Sequence, residues 1–184
     1  MTRRNHLRFL AFTGSLLLTS PLAWARRQGP QIACQQYPWT TFYRREGKNW
    51  HADLPAAMQE VARAEIPGFE PAFDSVEQVK ALRPLLKRHG LSSRSLYVNS
   101  VLHEESAVAG SLQAVHAILD ACKGMGLEIV VTNPSPIRWG GQENKTDAQL
   151  KVQARALDQL GQQLRARGLK LAYHNHDAEM RLAA

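Results

Sequence analysis

The chain predicts an α/β fold of parallel strands joined by helical crossovers, and three observations carry that reading. Short apolar or β-branched runs alternate with longer segments of helical periodicity from Gln31 onward. One run, Leu127 to Thr132, is apolar and β-branched apart from Glu128, the pattern of a strand covered on both faces. Every predicted strand also ends in a polar group, and parallel sheets gather their chemistry at the C-terminal ends of the strands.

Taken in order, a first strand, Gln31 to Gln35, leads into a polar and aromatic loop, Gln36 to His51, with Tyr37, Trp39, Phe42, Tyr43 and Trp50. A first helix from about Asp53 to Glu65 buries Leu54, Met58, Val61 and Ala62, with Pro55 tolerated in its first turn. Pro67-Gly68 breaks it, and a second strand, Phe69 to Ala72, follows. Ser75 and Gln78 have capping-box spacing at the start of the next helix. Its stripe is Val76, Val79, Leu82 and Leu86, Pro84 should kink it, and Gly90 ends it. The third strand is Ser95 to Asn99, followed by a helix from about Glu105 to Lys123 with Val108, Leu112, Val115, Leu119 and Cys122 inward. After the fourth strand comes the loop Asn133 to Lys145, which carries Trp139-Gly140-Gly141. Thr146 with Gln149 caps the fourth helix, which buries Leu150, Ala154, Leu157, Leu160 and Leu164 and stops at Gly168. The last strand starts at Leu169. The expectation is five strands and four helices.

The N-terminus is of another kind. Met1 to Arg8 is basic, Phe9 to Leu22 is mainly apolar, and Ala23-Trp24-Ala25 is a small-x-small cleavage signal, the order of an export signal over residues 1–25. Arg3-Arg4 with Leu7 resembles a twin-arginine signal, so an exported, periplasmic protein is expected, with no stable membrane anchor. Those 25 residues hold three arginines and no acid. Of 23 basic residues 20 therefore remain, against 16 acidic, a balance of +4. No basic run with interleaved aromatics is present, which excludes nucleic acid as the expected partner. Residues 26–184 suffice for one domain with its own core. Cys34, in a strand, and Cys122, near a helix end, read as two buried thiols with no disulfide.

The candidate chemistry lies at the strand ends: Gln35 and Gln36, Glu70, Asn99 with His103 behind it, Asn133, and His174-Asn175-His176 followed by Asp177 and Glu179. Along a strand, side chains two residues apart share a face and lie roughly 6.5 to 7 Å apart at the backbone. Ala172, His174 and His176 therefore project together, and two imidazoles with nearby carboxylates form a common ligand set for a divalent metal. A dinucleotide fold would need a glycine-rich turn after the first strand, where Gln36-Tyr37-Pro38-Trp39 stands instead. An His-x-His pair also occurs in metal-dependent amidohydrolases, but there it belongs to the first barrel strand.

The assembled pattern resembles the sugar phosphate isomerase/epimerase superfamily, the xylose-isomerase-like TIM barrels, and in particular exported members. The residues that carry the likeness are Ile32-Ala33-Cys34-Gln35-Gln36-Tyr37, Gly68-Phe69-Glu70-Pro71 and Lys170-Leu171-Ala172-Tyr173-His174-Asn175-His176-Asp177. The resemblance implies a divalent metal (Mn, Zn, Mg or Co) at the C-terminal rim, a small sugar or keto-sugar substrate, and isomerisation or epimerisation by proton transfer next to a carbonyl. It implies His174 and His176 as metal ligands, Glu70 and Glu179 as groups that move the proton, and Asn99, His103 and Asn133 as contacts to sugar hydroxyls. His174 stands where many relatives carry a metal-binding glutamate.

Relatives of this kind continue through eight strands, whereas this sequence ends at Ala184, just after the fifth. The expected fold is thus a partial (β/α)8 barrel. Five strands cannot close with the tilt and stagger of eight, so an open edge and self-association through it are expected. Two readings follow: an isomerase or epimerase whose remaining strands come from elsewhere, or a noncatalytic remnant with weak carbohydrate or metal binding.

Overall fold

The computed structural model describes residues 32–184. The export signal read over residues 1–25 and the linker from Arg26 to Pro30 lie outside them.

Among the described residues, five strands alternate with helices. β1 (Ala33–Gln35) and β2 (Gly68–Glu70) pair in parallel, and β3 (Ser95–Ser100), β4 (Ile129–Pro134) and β5 (Lys170–Tyr173) form a second parallel sheet in that order. Single bridges, Gly68 to Ser92 and Ala72 to Tyr97, link the two sheets in the same parallel sense. The helices are α1 (Gln36–Arg45), α2 (Leu54–Arg63), α3 (Val76–Arg88), α4 (Glu105–Ala121) and α5 (Asp147–Ala166). No helix among the described residues is long and apolar enough to cross a membrane.

The sheet is two-faced. Leu96, Val98, Val130 and Thr132 are 0–1% exposed beneath the helices, and a methyl on Gly161 of α5 would touch Leu171, which puts Leu171 on the same side. Alternation sends Ser95, Tyr97 and Asn99, then Ile129, Val131 and Asn133, then Lys170 and Ala172 to the opposite, inner face. The His174 amide donates to the Thr132 carbonyl at 2.9 Å, so the β4 ladder carries His174 one step past the end of β5. β1 and β2 meet closely. A methyl at Gly68 would lie 2.7 Å from the Ile32 carbonyl oxygen and 2.8 Å from the Ala33 Cβ, so only glycine fits there.

Several expectations change. The stretch Gln36 to His51 is not all loop, since its first ten residues form α1, a fifth helix. Pro38 sits in the first turn, where a missing N–H costs nothing, and Trp39 and Tyr43, four apart, turn one face onto the core. Cys34 is half-buried, not buried, with the Trp39 indole N–H on its sulfur at 3.2 Å, while Cys122 is buried, and both thiols are free. β2 stops at Glu70 because Pro71 has no N–H for the ladder, although its carbonyl accepts the Tyr97 amide at 2.8 Å. α3 continues through Pro84. Lys80 and Pro84 are both exposed, so the carbonyl deprived of its donor is on the solvent side. α3 also buries Leu85 in place of Val76. On α5 the buried face is Gln153, Ala156, Leu160 and Leu164, with Leu150 and Ala154 outside; the stripe expected through Leu150 and Leu157 is rotated from it by about one position. The fourth strand is shifted two residues from the expected span, starting at Ile129 and ending at Pro134, and so contains Asn133.

The apolar surface is distributed unevenly. Among the described residues, the exposed large hydrophobic residues fall into two groups, Ile32, Tyr37 and Phe42 beside β1, and Ile137, Trp139, Leu150, Tyr173, Met180 and Leu182 beside β5. Both groups border an unpaired edge strand.

Candidate functional site at the inner rim

Asn133 is the centre of the rim. It is fully buried at the end of β4, and its amide nitrogen donates to the His174 carbonyl at 2.7 Å and to Glu179 Oε1 at 2.8 Å; His176 Nδ1 lies 3.3 Å away. Two acceptors on that nitrogen fix which way the amide points. Glu179 comes from a short 3-10 turn, Ala178–Met180, and its other oxygen accepts the backbone N–H of His176 at 2.6 Å. Burial by itself raises the Glu179 pKa, but the Asn133 amide and the His176 N–H more than offset this and hold the carboxyl below its usual range. The chain after β5 thus folds back, with Glu179 bridging the strand-borne amide and the histidine turn.

The two imidazoles do converge. Their ring centroids are 4.7 Å apart, and they belong to a row of rings packed edge to face: Tyr97 against His174 at 5.5 Å and Trp139 against His176 at 5.4 Å. The ring nitrogens of His174 and the Nε2 of His176 accept and donate no hydrogen bond within the described residues. Donor chemistry and spacing suit two of the ligands of a divalent ion. Among the described residues, no group of three or more His, Cys, Asp or Glu side chains gathers in a metal-binding arrangement, so further donors would have to come from water, substrate or beyond these residues.

The other candidate residues are dispersed. Glu70, 9% exposed, receives the Gln35 amide at 2.7 Å and the Ser95 hydroxyl, so it is satisfied within β1–β3 at the start of β3. Asn99 lies four residues further along that strand, about 13 Å at ~3.3 Å per residue, and is exposed, with its Oδ1 accepting the Tyr97 hydroxyl at 2.9 Å. His103 is 3% exposed in the turn before α4, and neither ring nitrogen has a hydrogen-bond partner, although Glu104 approaches Nε2 at 3.5 Å. Burial first, and Lys145 second, lower its pKa, so the ring is held neutral and sealed away from solvent.

Two neighbours were not among the residues expected from the sequence. Tyr97 stands on the inner face beneath His174, and burial, followed by Asp74, Glu179 and Glu70, pushes its hydroxyl up to about 12. Its period-two relation to Asn99 was the available clue. Lys145, in the loop before α5, donates to the Pro134 carbonyl at 3.2 Å and to Gln153 at 2.5 Å, and burial lowers its pKa against the pull of Glu179. Only the tertiary fold brings it there. A cavity of about 90 Å³ adjoins the cluster through Lys145, Glu179 and Arg181; neither imidazole lines it.

No protein-family model matches the chain, and no curated protein does either. Solved structures do match. A sugar phosphate isomerase/epimerase from Parabacteroides distasonis ATCC 8503 is similar with a TM-score of 0.60 at 15% identity over 83% of this chain and 53% of that one. A xylose isomerase domain protein from Alicyclobacillus acidocaldarius matches at a TM-score of 0.53 and 15% identity, over 72% of this chain and 50% of that one. The apo form of 3-keto-D-glucoside 4-epimerase from E. coli matches at 0.51 and 15%, over 66% and 51%. The chain spans about half the length of these proteins. In fold, the described residues are therefore a partial barrel of the kind found in sugar phosphate isomerase/epimerase and xylose isomerase-like proteins.

Proposed function

We propose that the chain belongs to a metal-dependent sugar or keto-sugar isomerase or epimerase that acts by proton transfer next to a carbonyl. The observation that carries this reading is the convergence of His174 and His176 at the C-terminal rim, beside Asn133 and Glu179. The similarity in fold to sugar isomerases and epimerases supports it. In this reading His174 and His176 hold a divalent ion (Mn, Zn, Mg or Co), which when bound supplies polarisation of a substrate carbonyl. Asn99, exposed at the end of β3, presents its amide N–H groups to sugar hydroxyls, and Glu70 on the inner face receives the proton, its direction set by Gln35 and Ser95. His103 closes the adjoining loop from within. The basic and apolar start of the sequence supports export to the periplasm, which cell fractionation would test.

The noncatalytic reading is favoured by one observation, the gathering of two imidazoles without a third protein donor among the described residues. Metal content and affinity separate the two. Purified protein is expected to take up Mn²⁺, Zn²⁺ or Co²⁺ stoichiometrically, and His174→Ala to lose it. Exchange of substrate carbon-bound hydrogen with deuterated solvent, followed by NMR over a panel of ketoses and aldoses, then tests proton transfer. Metal binding without any exchange supports the noncatalytic reading, and no metal in the wild-type protein defeats the metal-dependent one.

A further inference from the structure

We infer that Glu179 and Asn133 form a positioning clamp that holds the two imidazoles together. The inference deepens the proposed metal-binding reading of the same rim. β5 ends at Tyr173, and beyond the amide of His174 the β4 ladder no longer holds the backbone. A free segment of that kind would let His174 and His176 diverge, since alternation on a strand constrains them only while the strand lasts. What keeps them 4.7 Å apart is a set of side-chain bonds that replaces the ladder.

The set is small and complete. Asn133 projects from β4, a rigid strand, and donates one amide hydrogen to the His174 carbonyl at 2.7 Å. It donates the other to Glu179 Oε1 at 2.8 Å. Glu179 Oε2 takes the His176 backbone N–H at 2.6 Å. Both histidine backbones are thus tied, directly or through one carboxylate, to a single buried amide. The clamp is supported from outside as well. Arg181 bonds Asp177 at 2.8 Å and the Gly141 carbonyl at 3.1 Å, and the Ala184 amide donates to the Lys145 carbonyl at 3.1 Å, so the returning segment is anchored beyond Glu179. With its side chain 9% exposed, Glu179 uses each oxygen to accept a directed bond within the clamp. An ionised carboxylate is what this geometry requires, because a carboxylic acid would set an O–H against one of the two donors.

The test uses the metal-free full chain. Ring protons of His174 and His176 carry a ring-current shift from the neighbouring imidazole while the rings stay edge to face, and ¹H NMR reads that shift. Glu179→Gln keeps the shape but sets an amide N–H against a donor, and Glu179→Ala removes the bridge altogether. Both are expected to abolish the mutual shift while the backbone amide spectrum of β1–β4 stays unchanged. Retention of the shift in either folded variant overturns the inference. If Glu179→Ala does not fold, the isosteric Gln variant decides the matter. A Zn²⁺ titration of the same samples reads the metal separately, and loss of the clamp is expected to weaken binding about 10- to 100-fold, the scale for groups that orient a ligand. Wild-type protein that binds no zinc would defeat the metal reading, and the ring-current shift would still decide for or against the clamp.

Discussion

The inner face carries two buried carboxylates that are held in opposite ways. Glu70 is bound by Gln35 and Ser95, both from strands that flank it, so the β-ladder that sets the sheet also sets the carboxylate. Glu179 lies beyond the last strand and is bound by the Asn133 side chain and the His176 backbone, so its place depends on one side chain and a returning turn. The difference teaches where the rim is brittle. Around Glu70 the position is inherited from main-chain pairing. Around Glu179 it rests on a single strand-borne side chain and a turn beyond the last strand, and one substitution can undo it.

The largest effect is expected from Asn133→Ala. It leaves the Glu179 carboxylate and the His174 carbonyl without their shared donor in a buried setting, which costs about 2–4 kcal/mol by the scale for unpaired buried groups. A denaturant midpoint measures it. A loss under ~0.5 kcal/mol would show that water replaces the amide and that the two carboxylates differ little in how firmly they are held. Next comes Gly68→Ala on the ladder-held side, where the methyl meets the Ile32 carbonyl and Ala33 at under 3 Å. Forcing β1 off β2 should cost about 1–3 kcal/mol and shift the amide resonances of both strands. An unchanged melting point would mean that β1 is not bound as closely as its contact implies.

A smaller effect concerns pH, through His103 in the turn between the two regions, where it faces Lys145 and Glu104. Its folded pKa is depressed, so as pH falls the unfolded chain takes up a proton first. Stability should therefore be intact above about pH 6.5 and decline below it until the folded ring protonates too. His103→Phe keeps the bulk and removes the titration. Urea midpoints between about pH 7 and 5 should be flatter in that variant, and an equal slope would exclude His103 as the cause. The smallest change in the fold itself is expected from Tyr173→Lys at the exposed end of β5. It should leave the melting temperature within experimental scatter and reduce concentration-dependent light scattering, since charge on an edge strand opposes strand addition. Equal scattering would move the association surface away from this edge.

Local pattern made part of this molecule legible. The helices α2 to α5, the Ser75 and Thr146 caps and the parallel order of the strands follow from periodicity and capping chemistry, which act within a few residues. Pattern misleads where a distant partner decides. Gln36 to Arg45 reads as loop because its proline and polar residues hide an amphipathic turn that only packing of Trp39 and Tyr43 reveals. The buried face of α5 is rotated from its apolar stripe because Leu150 and Gln153 compete for the inside, and the Lys145 ammonium favours the glutamine.

The site divides along the same line. By itself the sequence determined that polar groups gather at one end of parallel strands, whereas the alternation that would put His174 and His176 on one side stops with β5 at Tyr173. Tertiary structure alone decided that Asn133 and Glu179 meet 46 residues apart to hold those rings, that His103 is sealed, and that Glu70 belongs to a separate ladder-held group. The physical reason is range. Alternation and capping are written in neighbouring residues, whereas a buried hydrogen bond depends on which side chains the folded backbone brings within about 3 Å of each other.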